Sequence, residues 1–342
     1  MIRGEGLMKR STAFKTTAAL LAVFALLPLF AACNKTAKAE YFDIFGTTAY
    51  IETYDADDAE KTESGMRRVE ELCSVNIEGS DIWRINAAHA GETVTVDEVT
   101  MLLLTRAMSV YELTDGCYDP TVYPLVELWG FAAGDFVAGT PPEGGIPTDE
   151  EISAALALVG FDRAFSLNAS ECTVTKLIEG AKLDLGGIAK GYASSLAFSV
   201  SFDICNVGGN LAVGMPAATI GVPAPRETET VSSSWLFSFK AAYGQCVSTS
   251  GDYERYYFVD GVRYHHIIDP RTGYPASSGL ASATVISTDG AFADAFATAV
   301  IVGGKDAAER WISDEGNTWE FDLVTVTENN EVTSYGPELT YA

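Results

Sequence analysis

Basic residues are scarce in this chain of 342 residues, where 22 Lys and Arg face 47 Asp and Glu and the formal net charge is −25. Because neutralising phosphates requires a basic face, this balance argues against nucleic acid as a partner. A surplus of carboxylates keeps a protein soluble and suits the binding of metal ions. With 47% apolar and 20% charged residues, the composition is that of a globular protein.

Closely spaced cysteine pairs are missing as well. The six cysteines are scattered and no two of them form a C-x-x-C pair, so the sequence contains no zinc or dithiol redox motif. If the first of them, Cys33, is modified, an odd number remains. That number and the wide spacing predict free thiols, most of them buried.

Long apolar runs are absent except for one near the N-terminus, which excludes a polytopic membrane protein. The run spans residues 18–32, follows four basic residues, and is interrupted by Pro28. A basic region followed by a short apolar stretch is typical of a secretory signal, which we place at residues 1–32. The run is also short for a membrane-spanning helix.

The end of this signal, Ala31-Ala32-Cys33, resembles a bacterial lipobox, in which Cys33 is lipidated. Residues 33–40 would then form a linker and residues 41–342 the folded domain. The expected location is the bacterial cell envelope, with the acidic body held at the membrane through acyl chains alone. Ordinary cleavage near Ala32 without lipidation is the alternative.

Short strands and helices alternate along the rest of the chain without a regular βαβ period. This pattern predicts an α+β fold, with mixed or antiparallel sheets and flanking helices, as one compact unit in which two lobes are an open alternative. Apolar spacing and capping signals predict helices at residues 56–73, 96–114, 148–158, 188–198 and 290–302. Alternation predicts strands at residues 41–54, 163–167, 173–177, 202–207, 235–241, 256–259 and 281–287.

A glycine turn at residues 184–190 is the first candidate for chemistry. Asp184 begins the segment, two glycines follow, and Lys190 lies in the first turn of the predicted helix. Backbone N–H groups at such a turn can approach an anion, and a lysine adds a positive charge. Glycine turns of this kind also begin ordinary helices, and the segment matches neither the P-loop nor the Rossmann fingerprint.

Asp294 and Thr298 form the second candidate because residues four apart share one face of a helix. Their neighbours on this helix are nearly all small or apolar. An ionised carboxylate in such surroundings is unfavourable unless it is paired or binds a cation, and carboxylate and hydroxyl oxygens suit Mg²⁺. An exposed or capping aspartate in the first turn is the alternative.

Two adjacent histidines, His265 and His266, form the third candidate. Strand alternation places the two rings on opposite faces, so only one of them faces a given pocket. A histidine with Asp269 nearby can act as a general base. The alternative is an exposed pair beside the turn sequence of residues 269–273, and His89 receives no role.

Taken together in their order, these segments resemble the ApbE family, the FAD:protein FMN transferases, over residues 45–303. The resemblance rests on Phe45-Gly46-Thr47, Ser74 with Ser80–Asn86, Thr114–Thr121 with Leu128–Phe131, Asp184–Tyr192, Asn206–Asn210, Ser250-Gly251, His266–Pro275 and Ala293–Thr298. The segment Asp184–Tyr192 resembles the family motif D-L-G-G-I-A-K-G-Y almost letter for letter.

The resemblance implies an exported enzyme that depends on Mg²⁺. The sequence leaves Mn²⁺ open as the working ion, because both ions accept oxygen ligands. It implies that FAD is cleaved, that FMN moves to a Thr or Ser hydroxyl of an acceptor protein, and that AMP leaves. Asp294, Thr298 and the carbonyl of Gly187 would hold the metal. His266 would be the base for the acceptor hydroxyl, with Asp269 next in line.

The resemblance also implies a flavin site. Its expected members are Phe45, Asn76, Cys117, Tyr118, Asp119, Asp184, Lys190, Gly208, Gly209 and Ser250. Some relatives carry a tyrosine at the position of Asn76, and a non-aromatic residue there favours hydrolysis, so a Mg²⁺-dependent FAD hydrolase is the first alternative. A non-catalytic flavin-binding lipoprotein is an alternative of another class.

Overall fold

The computed structural model describes residues 36–132, 136–226, 235–314 and 316–341. The predicted signal at residues 1–32 and the predicted lipidation site Cys33 therefore lie outside the described residues. The helices are α1 (Ala56–Cys73), α2 (Asp81–Ala87), α3 (Glu98–Leu113), α4 (Tyr123–Leu128), α5 (Asp149–Leu156), α6 (Phe161–Ala164), α7 (Ala189–Ser195) and α8 (Gly290–Ser313).

Most of the strands are short. They are β1 (Lys38–Ile44), β2 (Thr47–Thr53), β3 (Thr93–Thr95), β4 (Phe165–Asn168), β5 (Thr173–Lys176), β6 (Phe202–Val207), β7 (Asn210–Val213), β8 (Ala217–Val222), β9 (Phe237–Ala242), β10 (Cys246–Gly251), β11 (Tyr256–Val259), β12 (Val262–His265), β13 (Leu280–Ser287), β14 (Phe321–Thr327), β15 (Val332–Tyr335) and β16 (Thr340–Tyr341).

A central eight-stranded sheet organises the fold, with the strand order β1-β2-β6-β7-β10-β13-β14-β15. All of its pairings are antiparallel. Helices α7 and α8 pack on it, and the small sheet of β8, β9 and β16 shares a separate apolar cluster with it. Strands β6, β7 and β13 are buried along their whole length, as expected for strands covered on both faces. The predicted α+β class with antiparallel sheets and flanking helices is confirmed.

The single strand predicted at residues 41–54 is wrong, because the chain reverses within it. Phe45 and Gly46 both have positive φ, at 52° and 66°, and join β1 to β2 as a hairpin. Two left-handed residues match the twist of a two-residue hairpin. Phenylalanine is not a usual residue for such a turn; here its N–H donates to Glu70 Oε1 at 2.6 Å. Continuous alternation on both sides of the turn concealed it.

The predicted helices are present. Their starts follow the capping and apolar patterns of the sequence more closely than their ends do. Helix α1 has the predicted bounds, and the capping box of Thr148 and Glu151 forms at the start of α5. Helix α8 runs to Ser313 instead of residue 302, with a break at Gly304, where φ is 76°. The strand predicted from residue 163 starts two residues later because α6 precedes it.

None of the helices in the described ranges is both long and apolar enough to cross a membrane. The five cysteines within these ranges are free, and all but Cys172 are buried, as their spacing predicts.

Helices α7 and α8 meet at a crossing without room for side chains. A Cβ atom built on Gly191 would overlap the carbonyl oxygen of Gly290 and lie 2.7 Å from Cβ of Asp294. The reverse also holds, because a Cβ on Gly290 would overlap the carbonyl of Gly191. The two glycines therefore set the distance at which α8 presents Asp294 to the start of α7.

We expect Gly191→Ala to lower the free energy of unfolding by about 2–3 kcal/mol, because the new methyl group must push the two helix backbones apart. Chemical denaturation measures this change. Gly65→Ala in α1 is the control, since its Cβ would meet only Leu196 Cδ1 at 3.4 Å. That control should gain about 0.5 kcal/mol from higher helix propensity. Equal stabilities of the two variants would contradict the close crossing.

Candidate active site

Asp294 lies in the second turn of α8 and is only 5% exposed. Its Oδ2 accepts a hydrogen bond from the Gly191 N–H at 2.9 Å, and Lys190 Nζ lies 4.0 Å from the same oxygen. Burial raises the pKa of Asp294, while Lys190 and the Gly191 N–H act to lower it. The structure therefore brings the predicted carboxylate and the predicted glycine turn together.

Thr298 lies one helical turn after Asp294 on α8 and faces the glycine turn of residues 184–190. Its Oγ1 is 3.2 Å from Ser250 Oγ on β10, and a Cβ built on Gly187 would lie 3.8 Å from it. The proposed metal residues Asp294, Thr298 and Gly187 thus form one group, with Ser250 at its edge.

The chemistry of this group suits a hard cation, because it offers a carboxylate, a hydroxyl and backbone carbonyl oxygens. Within the described ranges, no three His, Cys, Asp or Glu residues cluster so that they could hold a metal ion. A Mg²⁺ site here would therefore depend on one carboxylate and neutral oxygens, as is usual where phosphates complete the coordination.

The turn that precedes α7 is held by its own aspartate. Asp184 Oδ1 accepts from the Gly186 N–H at 2.8 Å, and the Asp184 N–H donates to Pro120 O at 2.8 Å. Lys190 Nζ folds back to donate to the Gly186 carbonyl. Burial raises the pKa of Asp184, and the positive charges of Lys190 and Arg255 oppose this. Lys190 is thus placed between the turn and Asp294, where it can neutralise an incoming phosphate.

The segment Cys117–Asp119 lies beside this turn. The ring of Tyr118 approaches Gly187, with Cε2 at 3.4 Å from a Cβ built there, and its buried hydroxyl has no hydrogen-bond partner in the described part of the chain. Burial raises the pKa of Tyr118 well above its usual value, and the charges of Asp294, Asp184 and Asp119 add to this.

Its two neighbours have visible structural roles. Asp119 Oδ1 accepts from both the N–H and Oγ1 of Thr121, and burial raises the pKa of Asp119 to about 6. Cys117 is buried, and burial raises its pKa to about 11, so it is a packing thiol and not a nucleophile at neutral pH.

The two histidines occupy different environments. His265 ends β12, is buried, and its Nε2 lies 2.9 Å from the Ala276 carbonyl. The backbone N–H of His266 donates to Arg255 O at 3.0 Å. The ring Nδ1 of His266 is buried without a partner among the residues described. Burial, followed by the positive charge of Arg255, lowers the pKa of His266 to about 3. Its ring is therefore neutral at physiological pH, with one nitrogen that carries no proton.

Asp269 is engaged elsewhere. Oδ1 accepts from the Arg271 N–H and Nε, and Oδ2 accepts from Arg271 Nη2 at 2.8 Å. Its backbone carbonyl accepts from the N–H groups of Thr272 and Gly273. This carboxylate fastens the turn after His266, which favours a structural role over that of a second base.

The remaining flavin-site candidates lie on turns and loops. Gly208 and Gly209 have φ of 56° and 91° and form the hairpin between β6 and β7, where the Gly209 N–H donates to Asn206 Oδ1. This geometry requires glycine for the turn itself. Phe45 is half-buried at the β1–β2 turn, and Asn76 lies exposed in the loop between α1 and α2.

Sequence reasoning missed three residues near this group. The side chain of Asn210 lowers the pKa of Asp294. The charge of Arg255 acts on Asp184, His266 and Glu254, and Glu254 is also close enough to Asp294 for that carboxylate to raise its pKa. The position of Asn210 directly after the glycine hairpin was the available signal. Nothing in the local pattern distinguishes Arg255 from an exposed arginine.

The fold and this group define a class: antiparallel α+β proteins in which a glycine turn, a lysine and a buried carboxylate lie together beside the central sheet. The sequence matches the ApbE family over residues 45–320, and the chain belongs to that family.

Solved structures and relatives agree with this assignment. The ApbE protein from Thermotoga maritima superimposes with a TM-score of 0.74 at 35% identity, covering 87% of this chain and 96% of that one. The flavin transferase ApbE from Vibrio cholerae gives a TM-score of 0.69 at 25% identity, over 90% and 97% of the two chains. The FAD:protein FMN transferase of Klebsiella pneumoniae is 31% identical over 86% of this chain and 90% of its own.

Proposed function

We propose that this chain transfers FMN from FAD to a Thr or Ser hydroxyl of an acceptor protein, with Mg²⁺ bound at the Asp294 group, and releases AMP. Family membership and the similarity to FAD:protein FMN transferases support the flavin-transfer chemistry. One observation in the molecule supports the proposed cation and phosphate chemistry. The buried Asp294 carboxylate accepts a hydrogen bond from the Gly191 N–H in the first turn of α7, next to Lys190.

In the proposed reaction, the acceptor oxygen bonds to the phosphorus on the flavin side of the pyrophosphate. The bond from that phosphorus to the bridging oxygen breaks, and the electron pair leaves with AMP. When bound, Mg²⁺ supplies charge neutralisation on the phosphate oxygens. Lys190 contributes a second positive charge, and Asp294, Thr298 and the Gly187 carbonyl orient the cation.

His266 is the proposed acceptor of the hydroxyl proton. Its ring is neutral, and the buried Nδ1 lacks a partner in the described structure, so a ring nitrogen is available as a base. The negative charge of bound FAD would raise the pKa of His266 and so make the ring more basic.

Intact-mass analysis of a candidate acceptor with a surface Thr tests the proposal. We expect the acceptor to gain the mass of FMN only when enzyme, FAD and Mg²⁺ are all present, with AMP released in equal amount. A chelator should stop both changes. An acceptor of unchanged mass, with AMP and free FMN accumulating, would replace transfer by hydrolysis.

Hydrolysis of FAD is the second candidate, and Asn76 favours it. Asn76 lies in the exposed loop after α1, where its backbone N–H donates to Ser74 Oγ at 3.2 Å, and its side chain has no ring to cover a flavin. We expect Asn76→Tyr to shift the ratio of transferred to hydrolysed FMN toward transfer. An unchanged ratio would show that this loop does not determine whether water or the acceptor hydroxyl attacks FAD.

The proposed location is the bacterial cell envelope, where the exported protein would be anchored to the membrane through lipidated Cys33. This rests on the sequence of residues 1–33. Labelling cells with a radioactive fatty acid should mark the wild-type protein and not Cys33→Ser. Equal labelling of both would contradict the anchor.

A further inference from the structure

Asn210 has an unusual combination of contacts. It is the first residue of β7, placed there by the glycine hairpin, and only 3% of its surface is exposed. Its side chain acts on the Asp294 carboxyl and lowers the pKa of that group, and its Nδ2 donates to the Val207 carbonyl at 3.3 Å. Its Oδ1, by contrast, is buried and accepts no hydrogen bond from any residue that the structure describes.

The orientation of this amide is fixed by chemistry. A carboxylate and a carbonyl accept hydrogen bonds only, so the group that faces Asp294 and Val207 must be the NH₂. The unpaired atom is therefore an oxygen acceptor. A buried acceptor without a partner costs about 1–3 kcal/mol, so the ligand-free protein maintains Oδ1 at the expense of stability.

The neighbours of Asn210 indicate what would satisfy that oxygen. The same side chain already favours the charged form of Asp294, which is the carboxylate of the proposed cation site. A hydrated divalent cation on Asp294 brings polarised water O–H donors next to it, and amide oxygens are common partners of such ions. An anion alone would offer no donor.

We propose that Asn210 is a positioning residue of the cation site: its N–H fixes the Asp294 carboxylate, and its Oδ1 accepts a hydrogen bond from the hydration shell of the bound cation. This rests on the proposed function, because it assumes a cation at Asp294. Groups that orient metal ligands in this way contribute about 10–100-fold to metal affinity.

Two variants separate this role from a purely structural one. Asn210→Leu removes both the donor and the acceptor, and we expect it to weaken binding of Mn²⁺ about tenfold. Asn210→Asp keeps an acceptor oxygen and adds a negative charge beside Asp294. It should bind Mn²⁺ at least as tightly as the wild type, but melt at a lower temperature in a chelator and recover when Mn²⁺ is added.

The measurement is the concentration of free Mn²⁺ by electron paramagnetic resonance, with Mn²⁺ alone and with Mn²⁺ plus ADP. Asn330→Asp is the matched control, because Asn330 also has a buried unpaired Oδ1 and its Nδ2 bonds to the Arg226 carbonyl, not to the site. It should leave Mn²⁺ affinity unchanged.

Mn²⁺ affinity of Asn210→Leu within about twofold of the wild type would overturn the proposal, since a positioning group contributes more. So would weaker binding by Asn210→Asp than by Asn210→Leu. If wild-type enzyme flavinylates its acceptor in either case, only the role of Asn210 fails. If wild-type enzyme neither binds Mn²⁺ nor transfers FMN, the proposed function fails with it.

Discussion

Replacing Asp294 by Asn should reduce FMN transfer at least about 10³-fold and yet make the ligand-free protein more stable. The loss of activity follows from removing the one carboxylate of the cation site. The gain follows because burial raises the pKa of Asp294, so at pH 7 this carboxyl group is less favourable in the folded chain than in the unfolded chain. Asn keeps an oxygen for the Gly191 N–H, and we expect the melting temperature to rise by about 2 °C.

Asp322→Asn is the control for that pair of effects. Burial also raises the pKa of Asp322, but this residue lies on β14 and belongs to no part of the site. The control should gain slight stability and retain full activity. Both changes are measured on the same preparations, by thermal melting in a chelator and by initial rates of transfer. Full activity of Asp294→Asn would remove the metal assignment.

Replacing His266 by Ala should lower the rate of transfer about 10²–10⁴-fold while FAD affinity stays close to that of the wild type. A general base acts in the transition state more than in substrate binding, so kcat should fall and the dissociation constant of FAD should not. Single-turnover kinetics and flavin fluorescence measure the two quantities separately.

His89→Ala is the control for a lost histidine, since His89 is exposed and its Nδ1 lies 3.2 Å from Glu179. It should behave as the wild type. Unchanged transfer by His266→Ala would assign the base to another group. Asp269 would be tested next, although both of its carboxylate oxygens already accept from Arg271.

The α+β class and most of the helices could be predicted from the sequence because their signals are local. Helix α1 has a continuous apolar stripe, and the capping box of α5 is formed by Thr148 and Glu151, which lie within four consecutive residues. The hairpin at Phe45 could not be predicted in this way. There the left-handed turn is built on a phenylalanine, while its N–H bonds to Glu70, a residue 25 positions away.

The same distinction applies to the site. Asp294 and Thr298 were found from helical spacing, and Lys190 from its place after two glycines. That these groups meet depends on the crossing at Gly191 and Gly290, a contact between segments about 100 residues apart that no local pattern encodes. Asn210 was missed for the same reason, because its contact with Asp294 joins two distant elements.

The central claim is that Asp294, Thr298 and Gly187 hold a divalent cation where FAD presents its pyrophosphate. Crystals grown with ADP and Mn²⁺ test it directly through the anomalous signal of the metal. The account predicts one strong peak at about 2.0–2.3 Å from an Asp294 oxygen, with Thr298 Oγ1 and the Gly187 carbonyl also in contact and a phosphate oxygen completing the site. A nucleotide bound with no such peak, or a peak that does not contact Asp294, would contradict it.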